Sequence, residues 1–115
     1  MKETTKQIGD HGESLASTFL QKKGYEILES NFRFRRAEID LIAQQGQFLV
    51  FIEVKLRKNT SFGNPEDVVN DKKIELIQSA AENFLETINW VGPIRFDIIS
   101  ISGTNTEIEH FEDCF

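Results

Sequence analysis

Three side chains in "AEIDLIAQQGQFLVFIEVKLRK" (residues 37–58) are of types that can do chemistry together: Asp40, then twelve residues, then Glu53 and Lys55. Glu53 and Lys55 sit inside "FLVFIEVKL", a segment apolar enough to be a strand covered on both sides. Charged side chains are almost never fully buried unless they are paired or bind something. One explanation is a buried ion pair of Lys55 with Glu53 or Asp40, which contributes little because desolvation offsets attraction. The other is a metal site. Two carboxylates against one lysine leave an uncompensated negative charge, and a hard divalent cation such as Mg²⁺ takes one or two carboxylates while keeping several waters. Lys55 would then orient or deprotonate an attacking water, with the cation lowering that water's pKa and neutralising phosphate charge. The residue types alone leave both explanations open.

The elements that must hold these groups follow from periodicity. "DHGESLASTFLQKKG" places Leu15, Ala16, Phe19 and Leu20 on one helical face, with Asp10 as its cap and Gly24 as its stop. "YEILESNFRF", "AEIDLIA" and "FLVFIEVKLR" read as three strands, the last two joined by the turn "QQGQ". "KNTSFGNPED" is a loop by composition. From about Val68 to Ile88, the positions Ile74, Ile77, Ala81, Phe84, Leu85 and Ile88 form the stripe of an amphipathic helix. "PIRFDIISIS" is a further strand, after a turn marked by Trp90 and Pro93, and "TEIEHFEDCF" adds a short last one. The order is helix, three strands, helix, one or two strands: a single mixed α/β domain over residues 1–115 with one sheet.

Strand alternation then brings the charges together. If Ile39, Leu41 and Ala43 line the same core face as Val50, Ile52, Val54 and Leu56, cross-strand partners must have numbers of odd sum. Asp40 then shares a face with Glu53 and Lys55, and with Ile42, Leu49 and Phe51, which calls for a helix covering part of that face. A slip by one residue would split the hydrophobic set. Glu38 falls on the Asp40 face by the same rule and could serve as a substitute or supporting acid.

The 115 residues hold one core's worth of apolar side chains, 39% of the total with ten Phe. No run is apolar enough to span a membrane, "MKETTKQIGD" lacks a signal-peptide core, and the lone Cys114 excludes an internal disulfide, so a cytoplasmic location is expected. The net charge of −6 argues against a nucleic-acid partner, but the distribution argues for one. Residues 21–58 hold eight Lys/Arg against five Asp/Glu, with Arg33, Arg35 and Arg36 in one group and Lys55, Arg57 and Lys58 in another. Such groups either contact phosphates or form a solvated face. Lys73, one turn before Ile77 near the second helix's apolar stripe, could lean toward the site, with Lys72 as the alternative, but both read first as snorkelling lysines on a solvated flank. His11 and His110 lack ligand spacing and read as surface or half-buried histidines. Phe62–Gly63 belongs either to a substrate-touching loop or to the core.

The ordered blocks "GESLASTFLQKKGYEILESNFR", "EIDLIA", "LVFIEVKLR", "FG" and "RFDIISI" resemble the YraN-like proteins of the PD-(D/E)XK nuclease superfamily, relatives of the archaeal Holliday-junction resolvases. The resemblance covers nearly the whole chain from Gly9. It implies a restriction-endonuclease-like αβββαβ core, one mixed sheet flanked by helices, and an Mg²⁺- or Mn²⁺-dependent endonuclease acting on structured or branched DNA. By the match, Asp40 and Glu53 are the metal-binding acids, Lys55 the catalytic lysine, and the Val54 carbonyl a further ligand. Glu13 matches an acid that the resolvases place beside the metal; otherwise it complements the dipole of the first helix. Arg33, Arg35, Arg36, Arg57 and Lys58 would contact the nucleic acid. A symmetric homodimer, one site per strand, suits a branched substrate. The family usually has Gly where Ala37 precedes "EID"; a methyl there removes no ligand. The alternative is a nucleic-acid-binding or protein-interaction module whose site no longer turns over.

Overall fold

The structure is a computed structural model that describes residues 5–57, 70–102 and 107–115, with side chains from Gly12 onward. Helix α1 (Thr5–Lys22) leads into strands β1 (Glu26–Phe34), β2 (Ala37–Gln45) and β3 (Phe48–Arg57); helix α2 (Asp71–Thr87), β4 (Ile94–Ser102) and β5 (Glu107–Phe111) follow. The five strands form one sheet in the order β1-β2-β3-β4-β5. All neighbours are antiparallel except β3 and β4, whose parallel pairing requires a crossover that includes α2. This is the restriction-endonuclease-like αβββαβ core, extended at one edge by β5.

Local chemistry explains the punctuation. Gly24, at φ +92°, ends α1 as the residue just past the helix: its N–H donates to the Gln21 carbonyl and that of Tyr25 to the Leu20 carbonyl, both at 3.0 Å. Gly46, at φ +57°, takes the first central position of the two-residue turn between Gln45 and Phe48, where a II′ turn favours glycine. The Asn70 side chain caps α2 by accepting the Lys73 N–H at 2.9 Å.

Two apolar layers sandwich the sheet. On one face α2 packs Ile77, Ala80, Ala81 and Phe84 against Ile42, Leu49, Phe51 and Phe96. On the other α1 packs Ala16 and Leu20 against Leu41, Ala43, Val50, Ile52 and Ile99. The expected stripes thus face the sheet except at Ile88, which lies past the end of α2 and is exposed, and α2 is the cover required over Ile42, Leu49 and Phe51.

Three expectations need correction or fall elsewhere. Asp10 does not cap α1, because the helix already begins at Thr5. Ile39 does not share a face with Leu41 and Ala43: with Ala37 it joins the α2-side cluster, while Leu41 and Ala43 join the α1 side. Alternation therefore breaks at Asp40. The β1–β2 pairing skips this position too, passing from Ser30↔Leu41 to Phe32↔Ile39 around Asn31, whose φ is +54°. Lys58, Phe62, Gly63 and Val68 lie outside the described residues.

The break coincides with a fork in the sheet. Pairing between β2 and β3 stops at Leu41↔Ile52. Beyond it, residues 37–39 of β2 pair only with β1, and residues 53–57 of β3 only with β4. The β1–β2 hairpin tip and the end of the β3–β4 pair are two arms, and Asp40 and Glu53 are the first residues past the crotch.

Candidate metal and phosphodiester site

Strand splaying strips Val54 of its β2 backbone partner, and Asp40 replaces it. The Asp40 Oδ2 accepts the Val54 N–H at 2.7 Å, bridging the fork with a side chain. Gly12 shapes the same place from α1: a Cβ added there would meet the Leu56 Cδ2 at 2.8 Å, so the helix approaches the end of β3 closely. The next residue, Glu13, thereby reaches the fork. Carboxylate oxygens of Glu13, Glu38 and Asp40 lie within 4.8 Å of one another, contributed by α1 and β2. They are hard oxygen donors, the set that Mg²⁺, Mn²⁺ or Ca²⁺ takes.

Burial raises the Asp40 carboxyl most, the Glu53 charge adds to it, and Glu13 and Glu38 add less; the Val54 N–H opposes them, and the pKa settles at about 7. Negative charge here is costly without a counter-ion, so the residues fit a divalent metal.

Glu53 holds the α2 side. Its side chain is 8% exposed, and its Oε1 accepts from Lys73 at 2.7 Å and from Lys55 at 3.3 Å. The two lysines diverge. Burial and the neighbouring Lys73 lower the Lys55 pKa against the pull of Glu53. Burial is the largest single influence on Lys73 and acts in the same downward sense, but the hydrogen bond it donates to Glu53, the contact with Lys55 and the Glu53 and Asp40 charges together outweigh it and raise the pKa. Of the two lysines expected to snorkel, Lys73 instead reaches into the site from the capped first turn of α2. Lys72 is exposed. Only the phase of the helix, set by Asn70, distinguishes the two.

Asp40, Glu38, Glu53, Lys73 and Arg36 line one cavity of about 320 Å³ against Ala37, Leu76 and Ile77. Glu53 stands outside the 4.8 Å group of three acids, its Oε1 being held by the lysines. Ala37 is a buried core residue whose methyl packs toward α2, with no bond to any of the acids among the described contacts.

The arginines occupy the arms. Arg35 and Arg36 form the two-residue turn at the β1–β2 tip, where Arg35 has φ +59° and stacks over the Phe34 ring at 5.1 Å. Arg33 pairs with Glu38 at 3.5 Å and stays 75% exposed. Arg57 ends β3 on the opposite arm.

Sequence reasoning passed over a second polar centre. Asp97, 0% exposed on β4, accepts Arg95 Nε and Nη2 at 2.9 and 2.8 Å, bonds His110 Nε2 at 2.7 Å, and accepts the Asp113 N–H at 3.0 Å. Arg95 also donates to the Tyr25 hydroxyl at 2.6 Å, and Lys23 Nζ lies 2.8 Å from His110 Nδ1. Every buried polar side-chain atom among the described residues has a partner. This centre lies on the α1 face of β4, away from the fork. The signal was "RFD": an acid and an arginine two apart share a strand face.

Comparison with known sequences accords with this architecture. The profile of the Uncharacterised protein family UPF0102 matches residues 12–101. A UPF0102 protein of Flavobacterium psychrophilum is 47% identical over 110 residues, covering 94% of this chain and 92% of its own length. One from Thermodesulfovibrio yellowstonii is 43% identical over 109 residues, covering 95% and 96%. The match spans both arms of the fork, α1 from Gly12, α2 and β4, and on that ground the chain belongs to the UPF0102 (YraN-like) family.

Proposed function

We propose that the fork is the active site of a divalent-metal-dependent endonuclease that hydrolyses phosphodiester bonds in structured or branched DNA. One observation carries this reading: three carboxylates from two elements converge within 4.8 Å beside a fourth that is bound to two lysines. Within that group the Asp40 carboxyl is raised to about 7 by burial first and the Glu53 charge second, and a bound cation would relieve both.

Asp40, Glu13 and Glu38, with Glu53 beside them, would hold the cation. The Val54 N–H points at Asp40, and the N–H and C=O of one strand residue face the same neighbour, so the Val54 carbonyl is a candidate additional ligand. A bound Mg²⁺ would neutralise charge on the scissile phosphate and lower the pKa of the attacking water. Lys55, with its pKa lowered, can take a proton from that water. Lys73, its pKa raised, keeps its charge and fixes the Glu53 carboxylate. Arg33, Arg35 and Arg36 on one arm and Arg57 on the other supply phosphate contacts that the acidic remainder of the chain lacks.

The test is incubation of the pure protein with branched, flapped and linear DNAs in Mg²⁺ or Mn²⁺ at low salt. Cleavage lost in Asp40→Asn and Lys55→Ala, with binding largely kept, supports the reading. The net charge of −6 favours a second reading, a binding module on the same fold. Binding without cleavage under all these conditions would select it.

A further inference from the structure

Two clefts on opposite faces of the sheet are each lined by an acid of the same cluster. On the α2 face lies the 320 Å³ cavity containing Asp40, Glu38 and Glu53. On the α1 face a groove of about 540 Å³ begins at Glu13 and runs between α1 and β1, past Ser14, Ser17, Thr18, Ser30 and Asn31. Glu13 belongs to one cleft and Asp40 to the other, yet their carboxylates lie within 4.8 Å. The fork that parts β2 from β3 lies between them, and Asn31, opposite the skipped Asp40, walls the groove at the same break.

Resting on the phosphodiesterase reading above, we propose that this passage takes a single unpaired nucleic-acid strand, which lies in the α1–β1 groove, crosses the acids, and places one nucleotide in the α2-side cavity. Size is the first argument. Small-ligand pockets start at about 300 Å³, so the cavity holds one nucleotide-sized group. A duplex, whose major groove alone is about 12 Å wide, does not enter between two neighbouring strands.

Lining is the second argument. Except for Glu13 the groove is uncharged, and Ser14, Ser17, Thr18 and Gln21 recur at helical spacing on its wall. Hydroxyls and amides of this kind contact phosphate oxygens and sugars. The cavity joins an apolar wall of Ala37, Leu76 and Ile77 to the cations Arg36 and Lys73, which suits a base and its phosphate. The substrate is then a strand unpaired at the scissile bond, such as a flap, bubble or overhang, rather than fully paired DNA.

The test uses the full chain with Ca²⁺ in place of Mg²⁺, so that binding is read without turnover. A labelled single-stranded oligonucleotide is competed with unlabelled single strand, flapped duplex, blunt duplex and fully paired four-way junction. Single strand and flap should compete at least about tenfold better than blunt duplex or junction. Thr18→Leu, which narrows the groove, and Leu76→Phe, which narrows the cavity, should each weaken single-strand binding severalfold, with melting temperature and its rise on adding Ca²⁺ unchanged. Equal competition by blunt duplex, no measurable binding of single strands, or full binding by the Thr18→Leu protein would each overturn the proposal. Cleavage of fully paired junctions with single strands as poor competitors would refute threading and keep the nuclease reading. Single-strand preference without cleavage in Mg²⁺ or Mn²⁺ would keep threading and retire the nuclease reading.

Discussion

Asp40 is where the chain's residues depart furthest from their ordinary chemistry. Its carboxyl titrates at about 7 against an ordinary 3.8, so the folded apo protein binds a proton there that the unfolded chain has released. Stability from this group is present below pH 3.8 and is lost as pH rises through 7. Asp40→Asn should therefore raise the melting temperature of the metal-free protein at pH 8, because the amide oxygen still accepts from Val54 while the charge is gone. It should also shrink the stabilisation by Mg²⁺, which for the wild type reaches about 2.7 kcal/mol at a hundredfold excess over Kd. An unchanged Mg²⁺ response would put the metal elsewhere. Lys73 gives a sharper test of side-chain placement. Lys73→Met breaks a half-buried pair and should cost about 1 kcal/mol or more in urea unfolding, against a few tenths for Lys72→Met. Sequence could name Asp40, Glu53 and Lys55, because their types and spacing are local. It could not choose between Lys72 and Lys73, since that depends on where Asn70 starts the helix.

Among the elements, every helix and strand was legible from periodicity, and the errors concentrate at the fork. The alternation rule assumed an unbroken β2 and so assigned Ile39 to the side of Leu41. The actual strand turns over at Asp40, opposite Asn31 with its left-handed backbone. No periodic signal marks this break, because Ile39 and Leu41 are apolar and each finds a core on its own face. What the rule did capture is the odd-sum register, seen in Leu41↔Ile52 and Ala43↔Val50. The irregularity makes a prediction of its own. Asn tolerates left-handed φ, whereas a β-branched residue does not, so Asn31→Val should lose about 1–2 kcal/mol. Asn31→Gly should be close to neutral. At the arm tip, Arg35 also sits at positive φ, and Arg35→Gly relieves that conformation while removing a cation. Folding stability should hold within about 1 kcal/mol, since lost stacking on Phe34 offsets the backbone gain. Single-strand affinity should fall, and its dependence on salt should become shallower by about 0.7 in log–log slope if Arg35 neutralises one phosphate.

At the scale of the whole molecule, a buried acid, Asp97, and a half-buried one, Asp40, on different elements give stability opposite slopes with pH. Burial pushes Asp97 upward, but His110, Arg95 and the Asp113 N–H together hold its pKa below the ordinary 3.8. Its contribution is thus present above pH 3.8 and lost as pH falls below. Asp40 contributes in the reverse sense, with its loss on approaching pH 7. On these two groups the metal-free protein should be most stable near pH 3.8, falling on the acid side through Asp97 and from there toward neutrality through Asp40. The sequence hid this balance because Asp97's partners come from β4 itself, β5 and the tail, and a lone His110 gave no sign that it closes on β4. Separate positions make the two limbs separable by mutation. Asp97→Ala removes the shared partner of Arg95 and His110 and should cost about 3–5 kcal/mol at pH 6, while the proportional response to Mg²⁺ survives, since the fork is untouched. Asp40→Asn should instead flatten only the limb toward neutral pH. Adding Mg²⁺ should do the same to the wild type, by favouring the ionised carboxylate, and should move the stability maximum to higher pH. Denaturant midpoints across pH 3–9, with and without Mg²⁺, measure all four curves. A maximum that stays in place when Mg²⁺ is added would show that Asp40 is not the group the metal meets.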